Sequence, residues 1–299
     1  MFQALCVGNC IAQQLAAEQK LKLIGKTSRG CFLQTASAWT LFLSEESPRG
    51  PLTINLPPGT ITPIKEAAAG AILLRQSILH ISNTVQLSLK DAPRWQSSPP
   101  LKSILPTATR RNTITETIQT ILQRKAASGL SGILPDLLPL LELPSPTLAT
   151  DGPFTKKLCA LIADLHTSDL QTLEKHLTAF LGQGSGLTPS GDDFLLGFFL
   201  TLHRWGASLP LANAALPLGS EIAAAARQKT THLSASLIEC AINGEADQRL
   251  ILALDGLMTT EKCDTTWLDG LLSWGSSSGL DAFAGMILAS NFSLLVSPQ

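Results

Sequence analysis

The 299-residue chain carries 22 Lys and Arg against 23 Asp and Glu, and it is 44% hydrophobic and 15% charged. Such a chain can bury a sizeable core in one large or two modest domains, which excludes disordered and fibrous proteins. The net charge is near zero and no run of basic residues is interleaved with aromatic residues, so a nucleic-acid partner is not expected.

The cysteines and histidines give no pattern typical of a metal or disulfide site. The 6 cysteines show neither a C-x-x-C motif nor paired Cys/His spacing, and the 5 histidines lack mutual metal-ligand spacing. We therefore predict reduced, mostly buried thiols, no metal and no cofactor. The cysteines are Cys6, Cys10, Cys31, Cys159, Cys240 and Cys263.

The start of the chain lacks the features of a signal peptide. Residues 1–20 have no basic n-region, and Asn9, Gln13 and Gln14 interrupt their apolar stretch. The most apolar stretch, residues 194–202, is shorter than the roughly 18 residues that a membrane span needs. We expect a cytoplasmic protein without a membrane partner.

The first third of the chain has the pattern of β-structure. Between residues 21 and 89, short apolar runs alternate with period two, as in 52–56 and 85–89, and turn residues separate them. Residues 1–100 are predicted to form a β-rich N-terminal domain. Residues 101–152 are proline-rich and are predicted to be a linker with packing helices near 115–127 and 135–141.

From residue 153 onward the period changes to that of amphipathic helices. Residues 153–299 are predicted to form a helical domain whose short connections favour a compact array. The fold class is therefore α+β, with a β-rich N-terminal part followed by an α-helical C-terminal part. The predicted helices span 154–165, 168–181, 191–205, 219–243, 245–258, 264–274 and 280–291.

The most unusual stretch is residues 182–197. Its first five residues contain three glycines, and Pro189 follows them, which predicts an irregular loop. A helix is expected to begin at once. Ser190 stands at the expected N-cap position, and Asp193 stands three residues later, as in a capping box.

Residues 278–285 repeat residues 190–197 at four of eight positions, with Ser, Gly, Asp and Gly in the same order. The repeat has two explanations: chance or a common solution to helix capping, or two equivalent helix starts that face one pocket.

A loop that leads into a helix N-terminus presents N–H donors, which favours phosphate or carboxylate. If Asp193 and Asp281 serve as caps, Asp192 could accept from a ligand amide or hold a hydrated cation. This mixture suits a small molecule with an anionic end and an amide or ammonium end. The loop is not a P-loop, since no Gly-Lys-Ser/Thr follows the glycines.

A polar stripe lies on the helix predicted around residues 221–242. Arg227, Thr231 and Ser234 recur at helical spacing, and they either line a site or belong to a solvated face. In a site, Arg227 would bind a carboxylate or phosphate through its planar fork. The candidate ligand-binding residues are Gly184, Ser185, Gly186, Thr188, Ser190, Gly191, Asp192, Asp193, Arg227, Thr231, Ser234, Ser277, Ser278, Gly279 and Asp281.

The sequence GSGLTPSGDDFLLG at 184–197 resembles the signature of the AllH-like family, named after a subunit of oxamate carbamoyltransferase. Residues 230–234, 241–244 and 277–285 agree with that family in the expected order, as does Arg49-Gly50-Pro51 in the β-rich part. The resemblance covers most of the chain and is strongest from 182 to 285.

The resemblance implies that the chain acts beside two other subunits on a small anionic amide or carbamoyl substrate. Together they would exchange a carbamoyl group between oxalurate and phosphate, yielding oxamate and carbamoyl phosphate in anaerobic allantoin breakdown. It supplies no catalytic residues, so the residues named above are predicted for binding only. The alternative is a non-catalytic metabolite-binding or scaffold subunit. A self-sufficient enzyme is disfavoured, because no metal cluster, nucleophile pair or cofactor fingerprint is present.

Overall fold

The computed structural model describes residues 1–68, 71–100, 103–124, 128–143, 147, 152–167, 170–262 and 264–292. The predicted α+β class is confirmed, since a ten-stranded sheet lies within residues 2–95 and helices make up most of the rest. By their internal contacts the residues separate into two compact units. Unit 1 contains residues 1–98 and 245–248, and unit 2 contains residues 99–244 and 249–299.

Unit 1 is built on one mixed sheet with two short helices. The strands are β1 (Phe2–Gln3), β2 (Cys6–Gly8), β3 (Gln19–Lys26), β4 (Gly30–Gln34), β5 (Thr40–Ser44), β6 (Thr53–Asn55), β7 (Ala71–Arg75), β8 (Ile78–His80), β9 (Gln86–Ser88) and β10 (Arg94–Trp95). The helices are α1 (Asn9–Gln14) and α2 (Ile61–Ala67). Strand order is β1-β9-β8-β7-β3-β4-β5-β6-β2-β10.

The sheet is curled, because strands that are adjacent in the chain lie at opposite ends of the strand order. Only Ala4 and Leu5 separate β1 from β2, yet β1 is at one edge and β2 is next to the other. The pairs β1–β9, β2–β10 and β5–β6 are parallel, and the remaining pairs are antiparallel. Leu52, Ile54 and Leu56 of the predicted period-two alternation are buried, but Asn55 in β6 is buried as well, so burial does not strictly alternate there.

Residues 245–248 belong to unit 1 through specific hydrogen bonds. The Ser97 N–H donates to Glu245 Oε2 at 3.0 Å. Arg49 and Gln248 bond reciprocally: Gln248 N–H donates to the Arg49 carbonyl at 2.8 Å, and Arg49 N–H donates to Gln248 Oε1 at 3.2 Å. This exchange anchors the Arg49-Gly50-Pro51 turn.

Unit 2 contains the helices that were predicted from period and caps, with several changes. The helices are α3 (Thr107–Arg124), α4 (Leu134–Leu140), α5 (Pro153–Thr167), α6 (Leu170–Thr178), α7 (Ser190–Trp205), α8 (Leu211–Ala215), α9 (Gly219–Lys229), α10 (His232–Ile242), α11 (Gln248–Thr259), α12 (Thr265–Ser273) and α13 (Ser278–Asn291). Helix α3 begins eight residues before its predicted start, α6 ends before residue 181, and α8 was not predicted. Helix α11 begins three residues after its predicted start, and the last change concerns 219–243.

The prediction of one helix over 219–243 is wrong, because the chain breaks between α9 and α10. Thr231 is in extended conformation at the N-cap of α10, and its side chain accepts from Ser234 N–H at 3.0 Å. Thr230 is extended as well. The apolar period continues across these residues, so the pattern alone did not show the break.

Helices α7 and α13 form the centre of unit 2, and nearly every residue of both is buried. A Cβ on Gly197 would lie 1.9 Å from the Ala282 carbonyl oxygen, and a Cβ on Gly285 would lie 2.0 Å from the Phe194 carbonyl oxygen. Glycine at these two positions therefore lets the two helix backbones touch. This contact fixes the relative position of the two helix starts.

The cysteines fit the predicted reduced state where the structure describes them. None of Cys6, Cys10, Cys31, Cys159 and Cys240 forms a disulfide, and burial raises the pKa of Cys31 to about 11. Cys263 lies outside the described residues.

Candidate functional site

The loop before α7, residues 182–189 (the α7 loop), is irregular as predicted. Gly182, Gly184 and Gly186 have φ values of +72°, +119° and +95°. These values lie in the left-handed region, where a side chain is strained. Residues 184–187 are exposed, and within the described structure the N–H groups of 184–188 donate no hydrogen bond.

The start of α7 differs from the predicted capping box. Pro189 occupies the N-cap position and Ser190 is the first helical residue, with no side-chain cap. The Pro189 carbonyl accepts from the N–H groups of Asp192 at 2.9 Å and Asp193 at 3.1 Å. The predicted caps at Ser190 and Asp193 are therefore wrong. The α7 loop supplies an acceptor for a backbone donor of the first turn, since Gly191 N–H donates to the Gln183 carbonyl at 2.8 Å.

Asp192 joins the start of the α7 loop to the break between α9 and α10. Its Oδ1 accepts from Gly182 N–H at 2.8 Å, and its Oδ2 accepts from the Thr230 hydroxyl. The side chain is buried, and burial raises its pKa, while the Thr230 hydroxyl, the Gly182 N–H and the Ser234 hydroxyl oppose the shift. The buried Asp192 side chain therefore connects the start of the α7 loop to the residues between α9 and α10.

Asp193 lies between the α7 loop and the start of α13. It is 1% exposed, and the hydroxyls of Ser278 and Thr188, which hydrogen-bond to each other, favour its charged form. Those two hydroxyl oxygens are 3.1 Å apart. One oxygen of the Asp193 carboxyl group, Oδ2, is buried and has no hydrogen-bond partner in the described structure.

The charge state of Asp193 follows from this environment. Burial raises its pKa well above the ordinary value, and the charges of Asp281 and Asp192 act in the same direction. The hydroxyls of Ser278 and Thr188 only partly oppose that rise. Burial and the neighbouring acids thus favour the protonated form of Asp193.

The start of α13 is built in a similar way. Ser277 is its N-cap residue without a side-chain cap, and Ser278 is the first helical residue. Asp281 is fully buried, and its Oδ1 accepts from Leu130 N–H at 2.6 Å. Gly129, with φ +56°, leaves room for this contact, since a Cβ there would lie 2.3 Å from Oδ1. Asp281 thus holds the turn Gly129–Ile133 against α13.

The repeat at 190–197 and 278–285 has a structural explanation in its glycines. A Cβ on Gly191 would lie 2.1 Å from the Phe180 carbonyl oxygen, and one on Gly279 would lie 2.0 Å from the Leu271 carbonyl oxygen. The second glycine of each copy touches the opposite helix, as described above for Gly197 and Gly285. The two copies thus have equivalent surroundings, and side-chain capping does not account for them.

Thr231 and Ser234, at the start of α10, also join this region. The Thr231 hydroxyl donates to the Leu187 carbonyl at 2.7 Å, which fixes the exposed part of the α7 loop. Sequence reasoning missed Thr230 and Gly182, the two partners of Asp192. Two adjacent threonines inside a helical period were the available signal, because β-branched residues with a hydroxyl favour helix starts.

Arg227 makes its contacts between α9 and α10. Its guanidinium donates to Glu239 Oε2 from Nη2 at 2.5 Å and from Nε at 3.2 Å, and to Ser236 Oγ from Nη1 at 3.2 Å. Its predicted role as a ligand clamp remains a prediction.

The remaining candidates lie on the same loops. Ser185 is exposed, and Ser190 and Ser277 are partly buried. Among the described residues, no group of three or more His, Cys, Asp or Glu side chains is placed to hold a metal ion. No helix in the described part of the chain is both long and apolar enough to cross a membrane.

The family model for the oxamate carbamoyltransferase subunit AllH matches residues 180–290. This segment is AllH-like. The AllH-like segment contains the α7 loop, α7, the α9–α10 break and nearly all of α13, so it includes both helix starts. It corresponds to the stronger part of the resemblance, whereas Arg49-Gly50-Pro51 lies outside it. No curated protein and no solved structure matches the chain.

Proposed function

We propose that the chain is a subunit of an oxamate carbamoyltransferase-like complex of the cytoplasm. The complex would transfer a carbamoyl group between oxalurate and phosphate during allantoin breakdown. One observation carries the proposal: the AllH-like segment spans both Ser-Gly-x-Asp helix starts, and the Thr188 hydroxyl of the α7 loop is hydrogen-bonded at 3.1 Å to the Ser278 hydroxyl at the start of α13. The segment that matches the family model is therefore the segment in which the two helix starts are connected.

The α7 loop and the Thr188–Ser278 hydroxyl pair offer different hydrogen-bonding groups. The N–H groups of residues 184–187, in the exposed part of the α7 loop near the N-terminus of α7, are donors suited to a carboxylate or phosphate. The hydroxyls of Thr188 and Ser278 lie beside them over a buried carboxyl group. Oxamate carries one carboxylate and one amide, and it matches these two chemistries.

The reaction consists of one bond exchange. A phosphate oxygen attacks the carbamoyl carbon of oxalurate, the bond from that carbon to the oxamate nitrogen breaks, and that nitrogen takes up a proton. Oxamate and carbamoyl phosphate leave. Backbone N–H groups of the α7 loop would bind the anionic substrate and stabilise the charge that develops on the carbonyl oxygen. Partner subunits would supply the rest of the site.

A thermal-shift series on the purified chain tests the binding part of this proposal. Oxamate, oxalurate, carbamoyl phosphate and phosphate are compared with acetate, since a ligand of the folded state adds about 2.7 kcal/mol of stability at 100 times its Kd. We expect a shift with oxamate or carbamoyl phosphate that is lost in Thr188→Val. Thr115→Val is the matched control, because the Thr115 hydroxyl donates to the Arg111 carbonyl within α3. Equal responses of the two variants would contradict the proposal.

A second candidate function is a non-catalytic metabolite-binding or scaffold subunit. The buried carboxyl groups favour it, because Asp192 and Asp281 bond to backbone N–H groups of this chain and thereby hold its loops together. Carbamoyl transfer by the partner subunits, assayed with and without this chain, distinguishes the two functions. Full activity without the chain supports the scaffold.

A further inference from the structure

The inference concerns how the exposed part of the α7 loop is held in place, and it rests on the proposed function. Residues 184–187 are exposed, and a Cβ on Gly186 would meet nothing within 4 Å. The Leu187 side chain is exposed as well. Packing therefore contributes little to the conformation of this stretch, and its glycines widen the range of conformations. The contacts at the two ends of the stretch decide its conformation.

The start of the loop is attached to the end of α9. Gly182 N–H donates to Asp192 Oδ1 at 2.8 Å, and the Thr230 hydroxyl donates to Asp192 Oδ2. A Cβ on Gly182 would lie 2.6 Å from the Lys229 carbonyl oxygen, so the loop backbone touches the last residue of α9. Because Asp192 is buried, water does not replace its bonds. This end of the loop is fixed.

The other end depends on Thr231. Its hydroxyl donates to the Leu187 carbonyl at 2.7 Å and accepts from Ser234 N–H at 3.0 Å. A hydroxyl carries one hydrogen, so in this arrangement Thr231 has no donor left for a ligand. The Leu187 carbonyl and the Thr188 N–H belong to one planar trans peptide unit and point in opposite directions. The bond from Thr231 thus fixes the direction of both groups.

We propose that Thr231 is a positioning residue of the site. It holds the exposed end of the α7 loop in the conformation that binds the anionic end of the ligand, and it does not contact the ligand itself. Without its hydroxyl, residues 184–187 lose the hydrogen bond at their far end and gain conformations. The ligand then has to order the loop as it binds, which lowers its affinity.

Calorimetry with oxamate on the full chain measures this effect. We expect Thr231→Val to bind oxamate about three- to tenfold more weakly than wild type, the range for one hydrogen bond. Thr231→Ser keeps the hydroxyl, and its affinity should stay within about twofold of wild type. Weak binding in both variants would mean that the hydroxyl is not what holds the loop, and would overturn the inference.

The matched control removes an N-cap elsewhere in the protein, because Thr231 is also the N-cap of α10. Asp264 is the N-cap of α12, and its side chain accepts from Thr266 N–H at 2.7 Å. Asp264→Ala should lower the melting temperature much as Thr231→Val does, since both variants lose a cap. It should keep the wild-type affinity for oxamate. An equal loss of affinity in both variants contradicts a specific role for Thr231.

Limited proteolysis gives a readout that needs no ligand. Cleavage by subtilisin within residues 184–187, located by mass spectrometry, follows the population of opened loop conformations. We expect cleavage to be about three- to tenfold faster in Thr231→Val than in wild type, in line with the loss of one hydrogen bond. Thr231→Ser and Asp264→Ala should be cleaved at the wild-type rate. Equal rates in all four proteins overturn the inference.

The measurements distinguish this inference from the proposed function. Oxamate affinity that is unchanged in Thr231→Val overturns the inference and leaves the proposed function standing. If wild type binds neither oxamate nor carbamoyl phosphate, alone or with its partner subunits, the proposed function fails. The inference then fails with it, even if the cleavage rates differ as expected.

Discussion

Gly197 of α7 and Gly285 of α13 occupy equivalent places in one helix crossing, and each backbone fills the space where a side chain would stand on the other helix. A Cβ on Gly197 would lie 1.9 Å from the Ala282 carbonyl oxygen, and one on Gly285 would lie 2.0 Å from the Phe194 carbonyl oxygen. Because this crossing sets the distance between the two helix starts, it also sets the spacing of Thr188 and Ser278.

Gly197→Ala should therefore destabilise the protein strongly. The added methyl group meets backbone on a buried helix, and relief requires the helices to separate, which we expect to cost about 2–4 kcal/mol. Urea unfolding measures this loss. Gly132→Ala is the control, since a Cβ there meets nothing within 4 Å. Equal stability of the two variants would show that α7 and α13 do not touch in this way.

Asp193 should make stability fall as the pH rises. Its folded pKa is raised well above the ordinary value of 3.8, so above pH 3.8 the folded state keeps a proton that the unfolded state has lost. The free energy of unfolding then decreases with pH, by up to about 1.4 kcal/mol per unit, until the folded pKa is passed.

Asp193→Asn isolates this contribution, because Asp192 shifts in the same direction and remains in the variant. The stability of the variant minus that of wild type, from urea unfolding at several pH values, should increase from pH 4 upward and then level off. A difference that does not change with pH would mean that Asp193 is not shifted in the folded state.

Asp281 should stabilise the fold through Leu130. Asp281→Ala removes the acceptor of the Leu130 N–H at 2.6 Å and leaves a buried donor, which costs about 1–3 kcal/mol. Asp281→Asn retains an oxygen in the same place and should lose less. Thermal unfolding of both variants measures the two losses of stability. A larger loss in Asp281→Asn than in Asp281→Ala would mean that the charge of Asp281, and not its bond to Leu130, stabilises the fold.

Arg227 and Glu239 should show a measurable coupling energy. Their ion pair is partly buried, with side chains 24% and 34% exposed, and two guanidinium nitrogens reach the same carboxylate oxygen. We expect a coupling of about 0.5–1.5 kcal/mol in a double-mutant cycle of Arg227→Ala and Glu239→Ala. Additive losses would mean that solvent screens the pair.

Local patterns in the sequence were enough for the fold class, most helices and the irregular α7 loop. Amphipathic period depends on residues three and four apart, and the positive φ of Gly182, Gly184 and Gly186 follows from glycine and the proline that comes after them. Two local predictions were wrong for local reasons. Thr231 begins a new helix inside a continuous apolar period, and Pro189 takes the N-cap place predicted for Ser190.

By itself, the sequence thus determined the α+β class, the two glycine-containing helix starts and the three acids that follow them. Only the tertiary structure decided the partners of those acids: Asp193 with Ser278 and Thr188, Asp281 with Leu130, and Asp192 with Thr230. Thr230 is 38 residues from Asp192 in the chain, and Leu130 is 151 residues from Asp281. Periodicity and backbone restriction act over a few residues, whereas a buried carboxyl group takes its donors from whatever packing brings beside it.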